Sequence, residues 1–104
     1  MSAEYTATLP VKRMGAGALF LDESGRLLLV EPAYKQEWEI PGGIVEANEL
    51  PWQTCRREIS EELGIPREPR PLLVVDWFPA QADRTEGLMF VFEGGVLTQG
   101  GDRR

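Results

Sequence analysis

The chain has 104 residues and a net charge of −6, which suits a single domain and argues against nucleic acid or an anionic membrane as its main partner. No apolar run reaches the roughly 20 residues that span a bilayer, and no signal peptide is visible. Because there is no histidine and one cysteine, Ser-His-Asp catalysis, imidazole zinc sites and internal disulfides are excluded. We expect a cytoplasmic protein whose acid–base or metal chemistry depends on carboxylates.

The first part of the chain predicts three strands, at residues 11–22, 26–31 and 38–40. A turn at residues 23–25 joins the first two strands as a hairpin. The third strand is expected to stop at residues 41–43, a proline followed by two glycines, and a loop continues to Asn48.

Residues 49–63 predict an amphipathic helix. Asn48 is the expected N-cap, Pro51 is tolerated in the first turn, and Gly64 is the expected stop. Apolar residues recur every three or four positions and form one stripe for the core, Trp52, Cys55, Ile59 and Leu63.

Two apolar runs after the helix, residues 72–78 and 88–93, predict strands separated by a polar loop. Since neither run alternates with polar residues, we expect both faces of these strands to be buried. The final residues, 98–104, predict a loose tail. All of these elements fit one domain over residues 1–104.

Most of the negative charge lies in one quarter of the chain, because residues 37–62 hold seven glutamates against two arginines. On a helical wheel, three glutamates share one flank beside the apolar stripe, namely Glu58, Glu61 and Glu62. Like charges one turn apart destabilise an isolated helix, and a bound divalent cation would remove that repulsion. A solvated helix face is the alternative interpretation.

Gly42 and Gly43 precede this helix, where glycine permits positive φ and lets a ligand approach the backbone closely. Glu46 and Glu49 in the same loop would repel a polyphosphate unless metal ions lay between them. The combination predicts metal-assisted attack of water on a phosphoric anhydride, with Gly42, Gly43 and Glu49 as candidate substrate-binding residues.

Gly43, Glu49 and the run REISEELGI at residues 57–65 resemble the signature box of the Nudix hydrolases, the MutT-like family. The preceding WEIPGG resembles that family's usual entry to the box. Specific motif identity covers residues 38–65, and the order of elements is similar from Met14 to Glu93. The resemblance implies an α/β fold, an α/β/α sandwich around a mixed sheet, and Mg²⁺-dependent hydrolysis of a nucleoside diphosphate linked to another moiety. Mn²⁺ is the alternative ion.

The resemblance also implies roles for individual residues. The implied metal ligands are the carbonyl of Gly43 and the carboxylates of Glu58, Glu61 and Glu62. Arg57 would orient the glutamates, and Glu49 would hold the loop to the helix. The base that activates water stays open between a box glutamate and a later acidic residue, for which Glu86 and Glu93 are candidates.

In the family a second helix normally follows and covers the other face of the sheet, whereas eleven residues follow Glu93 here. We therefore expect a fold lacking the C-terminal helix, which is either an incomplete copy or buries its second face in a homodimer, unless residues 1–10 cover it. The expected partner is a small-molecule nucleotide derivative. The rival function is a Nudix-like module that binds a nucleotide or nucleotide sugar without turnover; a structural calcium site is disfavoured because no EF-hand loop is present.

Overall fold

The computed structural model describes residues 1–30 and 39–98. In chain order the elements are α1 (Ala3–Thr6), β1 (Arg13–Asp22), β2 (Gly42–Ile44), α2 (Pro51–Leu63), β3 (Leu72–Phe78) and β4 (Gly87–Leu97). One sheet runs in the order β2-β1-β4-β3, with β1 and β4 parallel and the two outer pairs antiparallel. This mixed sheet with a packed helix confirms the α/β class. Within the described ranges, α2 is the only helix longer than one turn, and neither helix is long and apolar enough to cross a membrane.

The core lies between α2 and the centre of the sheet. Ala16, Ala18 and Phe20 of β1 are fully buried beneath Cys55 and Ile59 of α2. Trp52 and Leu63 are partly buried and pack against the same cluster, so the predicted apolar stripe is confirmed. Small side chains at alternate positions of β1 leave room for the helix, and each large side chain that is removed from water contributes about 1.5–3 kcal/mol.

The hairpin after β1 is formed with less regular pairing than the sequence predicts. Residues 26–30 form no continuous strand; Leu27 makes an isolated bridge to Leu21, and the Leu28 N–H donates to the Phe20 carbonyl at 2.9 Å. The Asp22 carboxylate accepts hydrogen bonds from the backbone N–H groups at positions 24 and 26, which fixes the turn. The predicted end of this strand at residue 31 lies outside the described residues.

The third predicted strand is displaced along the chain. Glu39 pairs with Val30 in an isolated bridge, Trp38 lies outside the described residues, and β2 begins at the two glycines that were expected to stop a strand. Glycine suits this place because a Cβ on Gly42 would overlap the carbonyl oxygen of Ala16 on the neighbouring strand. The glycines therefore allow close strand pairing instead of ending it.

The start of α2 also corrects the sequence prediction, since Leu50 and not Asn48 is the N-cap. Asn48 has φ 64°, a left-handed conformation that asparagine adopts more readily than most residues. The Leu50 N–H is satisfied by the Gln53 side-chain oxygen at 2.8 Å. Gly64 ends the helix with φ 69°, as predicted.

The predicted burial of β3 on both faces is wrong for the described chain, because all seven of its residues are exposed. β3 is one edge strand of the sheet, and α2 packs mainly on β1 and β2, towards the opposite edge. Residues 1–10 are exposed throughout and do not cover it. β4 continues to Leu97 instead of ending near residue 93, passing through a bulge opposite Leu19 and Phe20. The remainder of the predicted tail, 99–104, lies outside the described residues.

Candidate active site

Arg57 joins α2 to the loop that follows β2. Its Nε donates to Glu49 Oε2 at 2.9 Å and its Nη2 to Glu49 Oε1 at 3.1 Å, a two-point pairing that fixes the plane of the guanidinium. Nη2 also donates to the Ile44 carbonyl at 3.2 Å and lies 3.1 Å from the Glu46 carboxylate. The loop and the helix are therefore held together through one arginine.

This pairing changes the proton affinity of both groups. Hydrogen bonding by Arg57, then by the Thr54 hydroxyl and the Glu46 N–H, lowers the pKa of Glu49 to about 2. The same contact with Glu49 raises the pKa of Arg57 above its usual range. Glu49 is thus a carboxylate at every physiological pH.

Glu58 occupies the space that the missing side chain of Gly43 leaves open. A Cβ on Gly43 would overlap the Glu58 carboxylate, with 2.5 Å to its Cδ. Neither Gly42 nor Gly43 has a positive φ, so the structure gives another reason for glycine than the one expected from sequence. At position 42 the reason is close strand pairing, and at position 43 it is access of a carboxylate to the backbone.

The three glutamates of the helix flank lie near one another, and Arg57 neutralises only part of their negative charge. Arg57 Nη1 is 3.3 Å from Glu58 Oε2 and 3.5 Å from Glu61 Oε2. Burial raises the pKa of Glu58 to about 7, helped by a hydrogen bond with Glu61 and by the charges of Glu61 and Glu62. Glu62 accepts the Gly42 N–H at 2.9 Å, and its pKa is also raised, chiefly by burial.

These side chains supply the right donors for a hard divalent cation, because carboxylate and carbonyl oxygens are the ligands of Mg²⁺ and Mn²⁺. Two raised carboxyl pKa values at one flank fit a place where a cation would relieve repulsion. In the part of the chain that the structure describes, however, no three acidic side chains are arranged to hold a metal ion. Glu62 Oε1 is engaged with the backbone of β2, where it accepts the Gly42 N–H.

The two acidic residues considered as later bases have cationic partners elsewhere. Glu86 accepts hydrogen bonds from Lys12 Nζ at 2.7 Å and from the Trp77 indole, and these contacts lower its pKa. Glu93 Oε1 lies 4.0 Å from Arg70 Nη1. The contacts resolved among the described residues do not join either one to the Arg57 network.

Two cavities lined by described residues border the site. An open one of about 620 Å³ lies beside the loop after β2 and is lined by residues 46–49 together with Gln53, Arg56, Arg57 and Ser60. A narrower one of about 260 Å³ has Glu62 at its edge and is otherwise mostly apolar, with Leu28, Val30, Leu63, Ile65, Leu97 and Thr98. Only the second is lined by a glutamate of the helix flank.

Sequence reasoning missed Thr54, which is fully buried. Its hydroxyl donates to Glu49 Oε1 at 2.6 Å, shorter than any bond from Arg57 to that carboxylate. Its place three residues before Arg57 puts both on one helix face, which is the signal that could have revealed it.

The NUDIX domain family model matches residues 11–102. A MutT-like protein of Streptomyces ambofaciens is 38% identical over 66 residues, covering 62% of this chain and 43% of that protein. An RNA pyrophosphohydrolase of Halorhodospira halophila is 38% identical over 53 residues, covering 51% of this chain and 29% of that protein. The chain thus spans less than half the length of these curated relatives.

Solved structures agree with this assignment. The MutT NUDIX hydrolase of Burkholderia pseudomallei superposes with a TM-score of 0.72 at 31% identity, covering 83% of this chain and 68% of that one. With the mixed sheet and the box helix in place, the chain belongs to the Nudix family. The family resemblance expected from the box residues is confirmed.

Proposed function

We propose that this domain hydrolyses the phosphoric anhydride of a nucleoside diphosphate linked to another moiety, with a divalent cation as cofactor. The observation that carries the proposal is the placement of Glu58 in the space left by Gly43, beside Glu61 and within reach of an arginine that Glu49 holds. A purely solvated helix face would not need a glycine opposite one of its carboxylates.

The residues that would hold Mg²⁺, or Mn²⁺, are the Gly43 carbonyl and the carboxylates of Glu58, Glu61 and Glu62. Such an ion, when bound, neutralises diphosphate charge and lowers the pKa of a bound water. Arg57 keeps Glu58 and Glu61 on one side of the helix through contacts of 3.3 and 3.5 Å.

In the reaction, water attacks phosphorus, the bridging P–O bond breaks, and the leaving phosphate takes the electron pair. The proton of the water passes to a carboxylate. A glutamate of the box is favoured over Glu86 and Glu93, because those two residues are paired with Lys12 and Arg70 away from the helix flank.

The substrate belongs to the small nucleotide derivatives. The similarity to an RNA pyrophosphohydrolase supports anhydride cleavage as the reaction class, but it does not identify the base or the sugar. The mostly apolar cavity beside Glu62 offers a place for an uncharged part of the substrate near the carboxylates. A substrate panel should therefore include nucleoside diphosphate sugars and dinucleoside polyphosphates, and a short 5′-triphosphorylated RNA tests whether the substrate is larger than expected.

The rival proposal, binding without turnover, is separated by measuring phosphate release and nucleotide binding on the same protein. We expect release from at least one panel member with Mg²⁺, and its loss in the double variant Glu58→Gln with Glu62→Gln. Glu68→Gln is the matched control, since Glu68 is exposed and pairs only loosely with Arg56 at 3.7 Å. Binding without release across the panel would favour the rival.

A homodimer and a cytoplasmic location, both expected from the sequence, stay predictions. The exposure of all of β3 favours a partner surface there, because monomers rarely expose a large contiguous apolar patch.

A further inference from the structure

We propose that Thr54 is a positioning residue of the box carboxylates, acting through Glu49 and Arg57. The inference rests on the proposed function for its catalytic consequence, although its structural part can be tested without turnover. The hydrogen bonds of Thr54 resolved among the described residues go to Glu49 and the Leu50 carbonyl, and none goes to Glu58 or Glu61. Its effect is transmitted through two side chains.

The first step concerns the hydroxyl proton of Thr54. Its Oγ1 lies 2.6 Å from Glu49 Oε1 and 3.3 Å from the Leu50 carbonyl, and a hydroxyl has one proton to donate. A threonine inside a helix commonly donates to the carbonyl four residues earlier. Here the Thr54 hydroxyl donates to the Glu49 carboxylate instead, since hydroxyl–carboxylate hydrogen bonds are stronger and have this short length.

The second step concerns the orientation of Glu49. Its Oε1 accepts from three donors, the Thr54 hydroxyl, the Glu46 N–H at 3.1 Å and Arg57 Nη2 at 3.1 Å, whereas Oε2 accepts from Arg57 Nε. Thr54 is the only one of these donors that is fully buried. Its bond therefore fixes the rotation of the carboxylate from the core side, where water cannot replace it.

The third step carries that orientation to the box. When Glu49 holds Nε and Nη2 of Arg57, the remaining nitrogen, Nη1, faces Glu58 Oε2 and Glu61 Oε2. A rotated Glu49 carboxylate would turn the planar guanidinium, and both of these contacts would lengthen. Groups that hydrogen-bond to metal ligands and so orient them typically change metal affinity or activity by about 10–100-fold.

The test compares Thr54→Val, which keeps the shape but removes the hydroxyl, with Thr54→Ser, which restores it. Thr8→Val is the matched control, because the Thr8 hydroxyl makes an equally short 2.6 Å bond to the Tyr5 carbonyl far from the site. Three quantities are measured: hydrogen exchange at Arg57 Nε by NMR, affinity for Mn²⁺ alone, and kcat and KM for the best panel substrate.

We expect Thr54→Val to speed exchange at Arg57 Nε, to weaken Mn²⁺ binding by about tenfold and to lower kcat by about tenfold with KM nearly unchanged. Thr54→Ser should stay within about twofold of the wild type, since the same proton is donated. Thr8→Val should change none of the three quantities.

Two results would overturn the proposal: Arg57 exchange and Mn²⁺ affinity that stay at wild-type values in Thr54→Val while only its melting temperature falls, or a serine variant as impaired as the valine variant. If the wild type hydrolyses no substrate but exchange and Mn²⁺ affinity respond as expected, the positioning role holds and the proposed function fails. If the wild type is active and Thr54→Val matches it in all three quantities, the positioning role alone fails.

Discussion

β1 and β3 lie in the same sheet, but their side chains are in opposite environments. β1 has glycine and alanine at positions 15–18, and these residues and Phe20 are buried. β3 is richer in large apolar residues, including Val75, Trp77 and Phe78, yet it is exposed from end to end. Burial in this chain therefore follows the position of a strand in the sheet and the cover that α2 provides, rather than the hydropathy of the strand itself.

The candidate site belongs to the inner region, which consists of β1, β2 and α2, and β3 is the outer region. The Arg57 network is anchored on α2 and on β2, which pack on β1, so its carboxylates are held by the best-packed part of the molecule. The outer region makes no contribution to that network within the described residues. Variants in the two regions should consequently affect different properties.

The largest effect is expected from a matched pair of phenylalanines. Phe20→Ala should lower the free energy of unfolding by about 4 kcal/mol, because a fully buried ring leaves a cavity against the backbone of β4. Phe78→Ala should cost about 1 kcal/mol, since that ring is already 43% exposed. Urea unfolding measures both, and equal losses would show that β3 is covered in solution.

The two adjacent glycines should separate stability from activity. Gly42→Ala is expected to destabilise the fold by about 2–3 kcal/mol, because its Cβ would meet the backbone of β1. Gly43→Ala should cost less than about 1 kcal/mol, because it displaces the end of one side chain, but should lower turnover about 100-fold by moving Glu58. Unfolding and phosphate release are compared on both variants; a Gly43→Ala protein with full turnover would remove Glu58 from the proposed site.

The Glu49 carboxylate gives the inner region a specific acid sensitivity. Its pKa is lowered from an ordinary 4.5 to about 2 in the folded protein, so its stabilising contribution is fully present above pH 4.5 and is lost as the pH falls towards 2. The urea midpoint of the wild type should therefore approach that of Glu49→Gln across this window. If the urea midpoints of the two proteins, plotted against pH, stay parallel from pH 5 to about 2, the prediction is contradicted.

The smallest effect is expected in the outer strand. In dilute protein, Val75→Thr should change the free energy of unfolding by no more than about 0.5 kcal/mol, since Val75 is exposed. If the predicted homodimer forms through β3, the wild-type midpoint should rise with protein concentration, and that rise should be smaller in the variant. Light scattering that finds a monomer at all concentrations, with little binding of an apolar dye, would rule out the homodimer.

Sequence alone located the box helix, its apolar stripe and the strands β1, β3 and β4, since these depend on periodicity, on apolar runs and on a run of fixed residues. It fails at β2, because glycine carries no side-chain pattern and predicts a stop, whereas the absent side chain allows Gly42 to pair closely with β1. The prediction of burial is wrong for β3, because an apolar run indicates that a strand can be buried but not that another element covers it. The bond from Thr54 to Glu49 depends on a loop conformation, including the positive φ of Asn48, that no periodicity encodes.

The burial of Cys55 has a consequence for chemical labelling. Cys55 is the single cysteine of the chain and lies fully buried between α2 and β1, where loss of solvation raises the pKa of its thiol to about 12. A thiol that is both inaccessible and protonated reacts with alkylating reagents only after α2 separates from the sheet. The alkylation rate of Cys55 would therefore measure the separation of α2 from the sheet. Local unfolding of β3 would not change this rate.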